Sequence, residues 1–567
     1  MGRLLGSDSG LVSGRARWGA QIRPALMRAA ASKPLVAGLL VGIPTLALYW
    51  RTVMPDVGFW DTAEFQAVGP VLGIAHPTGY PVYTMLAWLA SVVLQPFGNE
   101  ALRANLLSAI VVAIGMGVVA ATVTRVTGRL AVGVATGVCL AVSGETWAIG
   151  LRADPHSLHL MLAAVLILLL VVWQDRAAAG RSADRWLFAA AVTFGISLAN
   201  HALTYLLAPG IAIFVLAVQP RILRRPRFIA TCALGLLVTT AALYAYLPIR
   251  SAMNPPLDYA NPETWDGFRY LVFAEQFRGT FRALPDLFDA LRTVGAETLD
   301  QLGVFAFLAV VGVFVSAWRR PALMLLLSAW FLVNWFFALG YINADIGRYY
   351  LVPLLTAAIF GGLGAGAIVD GLAALWARSR PSTTVSEAED GEADGEADGE
   401  AEAAEEGASP PSRPSRLPGI ALAALAAVVL ITPSLAAVPA RFPLLDASRD
   451  HIARSWLVSV VERLPENAVV VSWWSYSTTL WYGQYVEHLR PDVTVIDDST
   501  IVEKKLGSVA AVLDAYVGVR PLFLIRLPYD LPQFDRRYVL TPLGGVVGGP
   551  VYRVEGMRAI SAPGANL

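Results

Sequence analysis

The chain has little of what small soluble scaffolds are built from. Its only two cysteines, Cys139 and Cys232, lie inside apolar runs, the usual setting of a buried thiol that acts as a small hydrophobe. They offer neither a disulfide framework nor a zinc spacing. Charge is scarce as well: Asp, Glu, Lys and Arg make up 15% of the residues against 56% hydrophobic. A soluble protein of 567 residues could not hide that much apolar surface in its core, so the composition describes a multi-pass membrane protein. A formal net charge of zero conceals an uneven distribution. Basic residues sit in short loops between apolar runs, many acids sit in one run near 387–406, and nucleic acid is excluded as a partner. No P-loop or dinucleotide fingerprint is present. GGVVGG at 544–549 reads as having no strand before it and no helix after it, so it is not a phosphate loop.

Against that apolar background one polar stretch stands out, Trp60 to Tyr83, WDTAEFQAVGPVLGIAHPTGYPVY. Asp61 and Glu64, three apart, share one face of a short helix. His76-Pro77 and Gly79-Tyr80-Pro81 then predict a proline-rigid turn. An ordinary capped surface helix with an exposed loop would satisfy the same spacing. The functional reading gains from the setting, because polar groups kept beside a bilayer usually serve a purpose.

Loop charges give the organisation. Residues 1–33 carry six basic residues and a single acid, Asp8, which predicts a cytoplasmic N-terminus. The first span, about 34–50, is then a signal-anchor, and an acidic external loop follows at 51–104. Residues 83–97 are too short for the roughly 20 residues of a crossing. Laying them along the surface puts Arg125, Arg129 and every later basic loop in the cytoplasm. The run 187–218 is too long for one crossing and reads as a hairpin turning at Asn200-His201. With spans near 105–124, 130–148, 156–173, 228–247, 302–318, 321–339, 350–370 and 418–438, the expected total is eleven. The organisation is therefore a membrane domain at 34–379, an acidic disordered cytoplasmic linker at 380–416, a last transmembrane helix at 417–439 and an extracytoplasmic domain at 440–567. In that last part AVVVSW, VTVIDD and RPLFLIRL alternate with helical segments, predicting a small α/β unit with a largely parallel sheet. Trp473, Trp474 and Tyr476 read as a core edge, or as an aromatic platform for a glycan acceptor.

On this orientation carboxylates, histidines and arginines from loops far apart in sequence meet at one face: Asp61, Glu64 and His76, then Asp154 and His156, then Arg250, and then Asn343, Asp345 and Arg348. His159 and His201 also read as satisfied bundle residues, and the arginines as side chains snorkelling to the interface. The segments WDTAEF, AHPTGYPVYTMLAWL, RANLLSAIVVAIGMGVV, ISLANHALTYLLAPG and YLPIRSAMNPPLDYANPETW resemble the GT-C membrane glycosyltransferase family that includes the vertebrate plexin-domain O-mannosyltransferase. That family has many bacterial members and was long filed as a domain of unknown function. The resemblance covers about residues 35–370. The family's DSGE stands here as Asp61-Thr62-Ala63-Glu64, and its HPPGYP as His76-Pro77-Thr78-Gly79-Tyr80-Pro81, so both carboxylates are kept. The helical-repeat tail of the vertebrate enzyme is not visible.

The resemblance implies a polytopic α-helical GT-C-type fold and transfer of mannose or a similar hexose from a polyprenyl-phosphate donor. The acceptor would be an extracytoplasmic protein or glycan, foremost a protein Ser/Thr hydroxyl, at a bacterial cytoplasmic membrane. Such a donor requires no nucleotide site. An acceptor hydroxyl needs a carboxylate base, with Asp61 as first choice and Glu64 as its helper. The departing lipid phosphate needs arginine donors, Arg250 and Arg348, with His201 nearby. His76 and Tyr80 would shape the sugar pocket, and Asp154 and His156 would line its far wall. No cofactor is required, although a divalent metal bridging Asp61 and Asp154 stays open. The rival expectation is a transporter or flippase for a lipid-linked or small polar substrate. Transporters place ionisable groups at mid-membrane on broken helices, often in repeats, and this chain shows neither.

Overall fold

The computed structural model describes residues 32–378 and 417–558. The acidic linker and nearly all of the basic N-terminus considered above lie outside the described residues. Helix α1 (Ser32–Thr52) leads to the acidic helix α2 (Trp60–Val71) and to α3 (Pro81–Val93). Next come α4 (Glu100–Thr127), α5 (Leu130–Ala141), α6 (Gly144–Ile149), α7 (Pro155–Ala178), α8 (Asp184–Asn200) and α9 (Ala208–Val218). Helices α10 (Pro226–Tyr244), α11 (Tyr246–Ser251), α12 (Trp265–Val272), α13 (Leu287–Leu302), α14 (Val304–Arg319), α15 (Pro321–Gly340), α16 (Leu351–Arg378) and α17 (Leu417–Leu445) complete the helical region.

Seven described helices are long and apolar enough to cross a membrane, and eight if α13 and α14, bent by 113° at their junction, count as one. This is fewer than the eleven expected. The other three predicted crossings fall on helices α5, α8 and α9, which have 12, 17 and 11 residues and span only about 16–26 Å at 1.5 Å per residue. Helix α3, with 13 residues, is also well short of a ~30 Å core, as the surface reading requires. The chain breaks at His201, whose backbone is extended before a short 3-10 turn over Ala202–Leu207, where the hairpin turn was expected.

Local chemistry sets the helix ends. Asn99 caps α4 by accepting from the Leu102 N–H at 2.8 Å, and Asp154 caps α7 by accepting from the His156 N–H at 2.8 Å, with Pro155 at the first helical position. In the bundle α14 and α16 pack at backbone distance, because a side chain on Gly364 would collide with the Leu308 carbonyl. Small residues allow that approach between apolar helices.

After α17 come α18 (Ile452–Val461), β1 (Val469–Val471), α19 (Trp474–Tyr485), β2 (Thr494–Ile496), α20 (Asp498–Glu503), α21 (Val509–Tyr516), β3 (Leu522–Leu524), α22 (Leu531–Asp535), β4 (Tyr538–Pro542) and β5 (Tyr552–Met557). The sheet order is β2-β1-β3-β5-β4. The three predicted strands pair in parallel, but β5 joins antiparallel to β3 and β4, so the sheet is mixed. A strand does lead into GGVVGG: it is the loop of the β4–β5 hairpin, still with no helix after it. The core of this sheet unit continues into the acidic segment. Phe65, Val68 and Ala63 of α2 share one buried cluster with Trp456, Val470, Tyr482 and Phe523.

Candidate active site

The turn after α2 depends on Gly79, which has φ +81° and lies where a Cβ would come within 3.0–3.2 Å of the Leu247 methyls. Glycine meets both demands. HPTGYP thereby packs onto the segment YLPIR, and Tyr246 donates from its hydroxyl to the Gly73 carbonyl at 2.9 Å. Asn105 of α4 accepts from the Ala153 N–H at 2.8 Å and Ser108 from the Asp154 N–H at 3.2 Å. Buried polar groups on an otherwise apolar helix thus fix the loop before α7.

These supports close a cavity of about 590 Å³, lined among others by Asp61, His76, Tyr80, Asp154, His156 and Arg348. At its centre the Arg348 guanidinium reaches Asp61 Oδ2 at 2.9 Å with one terminal nitrogen and Asp154 Oδ2 at 3.2 Å with the other. Its Nε is buried and has no hydrogen-bond partner among the described residues. Asp61 Oδ1 accepts from the indole N–H of Trp474 at 3.1 Å. Burial pushes the Asp61 carboxyl up, but the charges of His76 and Arg348 and the bonds from Trp474 and Arg348 outweigh it and hold it below the usual carboxylate range. Asp154 is likewise buried, yet His156 and Arg348 hold it well below that range. Both are charged, and one arginine serves the two.

Glu64 does not face the cavity. It is 2% exposed; one oxygen accepts from the His76 backbone N–H at 2.7 Å and the other meets His76 Nδ1. Its expected contact with the acceptor is therefore corrected: Glu64 acts on His76, whose Nε2 lies 3.3 Å from the Tyr80 hydroxyl. Burial raises the Glu64 carboxyl despite His76, while Glu64 and Asp61 outweigh burial to raise His76. The pair therefore keeps its proton to higher pH than an isolated carboxyl would. Arg250 is also corrected. It donates to the Leu72 carbonyl at 2.9 Å and the Val71 carbonyl at 3.2 Å, capping the C-terminal end of α2 rather than lining the cavity. His201 stands behind the wall, 7% exposed, its ring 4.3 Å from that of His156 and 5.3 Å from that of Tyr80.

The place between Asp61 and Asp154 for which a bridging ion stayed open is taken by the Arg348 fork. Among the described residues Asp61, Glu64 and His76 bring one ligand atom each within 4.8 Å of one another, although both Glu64 oxygens are already spent on His76. Tyr349 and Ser499 also line the cavity and went unread in the sequence. Trp474 lines it too; its Trp-Trp pair was read as a core edge or an aromatic platform.

The architecture is shared with solved structures. ArnT from Cupriavidus metallidurans, bound to undecaprenyl phosphate, matches over 92% of this chain and 97% of its own at 14% identity with a TM-score of 0.53. Its apo form matches over 91% and 97% at 13% identity with a TM-score of 0.54. The fold is thus that of a polytopic helical GT-C membrane protein with a small C-terminal sheet domain. Residues 61–222 match the family described as protein O-mannosyl-transferase TMEM260 N-terminal domain. The curated Protein O-mannosyl-transferase TMEM260 of Mus musculus is 29% identical over 243 residues, 41% of this chain. The chain spans about a third of the length of that relative, 33%.

Proposed function

We propose that the chain is a membrane glycosyltransferase that moves a hexose, mannose or similar, from a polyprenyl-phosphate donor to a hydroxyl on an extracytoplasmic acceptor, foremost a protein Ser or Thr. The observation that carries this reading is the Arg348 fork between two charged aspartates at the cavity, with a buried Nε–H left to donate. The acceptor oxygen forms its bond to the anomeric carbon as the bond from that carbon to the phosphate oxygen breaks. Asp61 takes the hydroxyl proton. The polyprenyl phosphate departs with its charge met by Arg348 Nε. Glu64 holds His76 against the sugar, and Asp154 keeps His156 and Arg348 in place. No step needs a divalent metal, since Arg348 already supplies the positive charge; transfer that survives EDTA checks this.

A curated relative is named a protein O-mannosyl-transferase, which supports the sugar, and the ArnT structure holds undecaprenyl phosphate, which supports the donor class. A flippase has no observation in its favour here. The test is sugar transfer by purified protein in detergent, together with mass spectrometry of extracytoplasmic glycoproteins and glycolipids from a deletion strain. Loss of a hexose from proteins in that strain is expected; unchanged glycans with an accumulated lipid-linked sugar on the cytoplasmic side would favour the flippase. The orientation belongs to the same proposal. Exposed Lys505 serves as the reporter of the outer face. In a background without Cys139 and Cys232, Lys505→Cys should react with an impermeant reagent and Arg224→Cys should not.

A further inference from the structure

The carboxylate on which the proposed chemistry turns is gripped from two sides, and one grip comes from the C-terminal sheet domain. Trp474 opens α19, directly after β1. Its indole N–H points at Asp61 Oδ1 across 3.1 Å. The ring is held edge-on by Trp481 at 5.7 Å, His76 at 5.7 Å and Tyr259 at 6.1 Å between centroids. Helix α19 is fastened to the acidic segment at several points. The Trp473 ring meets Trp60 at 4.8 Å, the Thr479 hydroxyl donates to the Gly58 carbonyl at 2.8 Å, and the Tyr482 hydroxyl accepts from the Ala101 N–H at 3.2 Å. Nearby, Arg454 ties Asp56 at 2.8 Å to Glu487 at 2.6 Å. The same domain contains a tryptophan that only fills space: Trp456 is fully buried and its indole nitrogen has no partner among the described residues. Trp474 differs in spending its single polar hydrogen on a cavity carboxylate 413 positions away in the chain.

We infer that Trp474 is a positioning residue of the transfer reaction, holding the Asp61 carboxylate in orientation, and that the C-terminal domain thereby completes the active site. This rests on the reading of Asp61 as the base. A donor on a carboxylate favours its charged form and is stronger than a neutral bond. The other groups facing Asp61 are Glu64 on its own helix, His76 and Tyr80 from the turn, and Arg348 and Tyr349 from the segment before α16, with Asp154 acting through Arg348. A change at Trp474 leaves all of them in place.

The test uses full-length Trp474→Phe, which keeps an aromatic ring in the same packing and lacks the N–H. The kcat should fall about 10-fold or more, the size expected for one bond to a charged group, with KM for the donor within about twofold. The acidic limb of kcat/KM should move to higher pH, because loss of the donor raises the Asp61 midpoint. Tyr482→Phe, which removes a docking contact away from the cavity, should lower thermal stability and leave the limb where it is. An infrared titration of the carboxyl, assigned by subtracting Asp61→Asn, reads the same midpoint without turnover. If the wild type transfers no sugar, a raised midpoint in Trp474→Phe still upholds the positioning role while the transferase reading falls. An unmoved midpoint, or a limb and kcat moved no more than in Tyr482→Phe, overturns it.

Discussion

The two ends of the helical bundle use the same residues in opposite proportion. At the cavity one arginine, Arg348, is shared by two aspartates, Asp61 and Asp154. At the far end two aspartates are each shared by two arginines: Asp175 by Arg125 at 2.9 Å and Arg320 at 2.6 Å, and Asp370 by Arg129 and by Arg319 at 3.1 Å. Asn105, which fixes the cavity loop, and Arg125 lie 20 residues apart on α4, about 30 Å along the axis. Where two arginines flank one aspartate, the carboxylate is neutralised from both sides and the cluster ties helix ends together. Where carboxylate is in excess, a negative group fronts an open cavity with capacity to take a proton. The ratio of partners, more than the presence of ion pairs, separates a site from a clamp.

The strongest blow to this contrast is Asp61→Asn, which equalises the cavity end at one carboxylate per arginine. It should cost about 10²–10⁴-fold in sugar transfer, the usual range for a lost general base, while thermal stability holds because Arg348 keeps Asp154. Near-normal transfer would hand the base to Asp154 or to the Glu64–His76 pair. Glu64→Gln comes next, with a loss of roughly 10-fold or less. Its signature is in pH. The folded Glu64–His76 pair holds its proton to higher pH than unfolded carboxyls do, so the stability it adds is present below the unfolded carboxyl range and fades as pH rises through the raised midpoint. A wild-type minus Glu64→Gln difference in melting temperature that shrinks as pH rises checks this sign. At the far end, Asp175→Asn should leave turnover within about twofold and remove about 1 kcal/mol of stability, a partly exposed pair being well screened; a larger loss of turnover than of stability would mean the clamp reaches the site. The smallest effect is expected from deleting residues 387–406, whose composition cannot build a core: insertion and transfer should be nearly unchanged, as measured by membrane yield and activity.

The comparison also explains what was legible beforehand. Asp61, His76, Asp154, His156 and Arg348 could be gathered from the sequence because each flanks an apolar run, and loop charge assigns all those flanks to one face. Arg250 flanks such a run as well, but its side chain is long enough to turn back onto the open carbonyls ending α2, and no local pattern shows which way an arginine turns. Glu64 shares the helical face of Asp61 in spacing, yet the HPTGYP turn folds His76 over it, a tertiary event that helical periodicity does not contain. Trp474 is hidden for the same reason at longer range. In the C-terminal unit, VVV, TVI and LFL were found as apolar runs, whereas β4 and β5 alternate exposed and buried residues around a glycine loop and carry little contrast.

The grip on Asp61 also has a timetable. The residue emerges early in synthesis, but Arg348 follows it by 287 positions and Trp474 by 413. At about 5–20 residues per second, the ribosome needs roughly 20–80 s after Asp61 to reach Trp474. Until Arg348 is made the chain carries its carboxylate without either companion, and from there until Trp474 is made it has only the first. On the proposed orientation the sheet domain also crosses the bilayer before α19 docks. Full competence to react is therefore acquired last, once the chain has been made through Trp474.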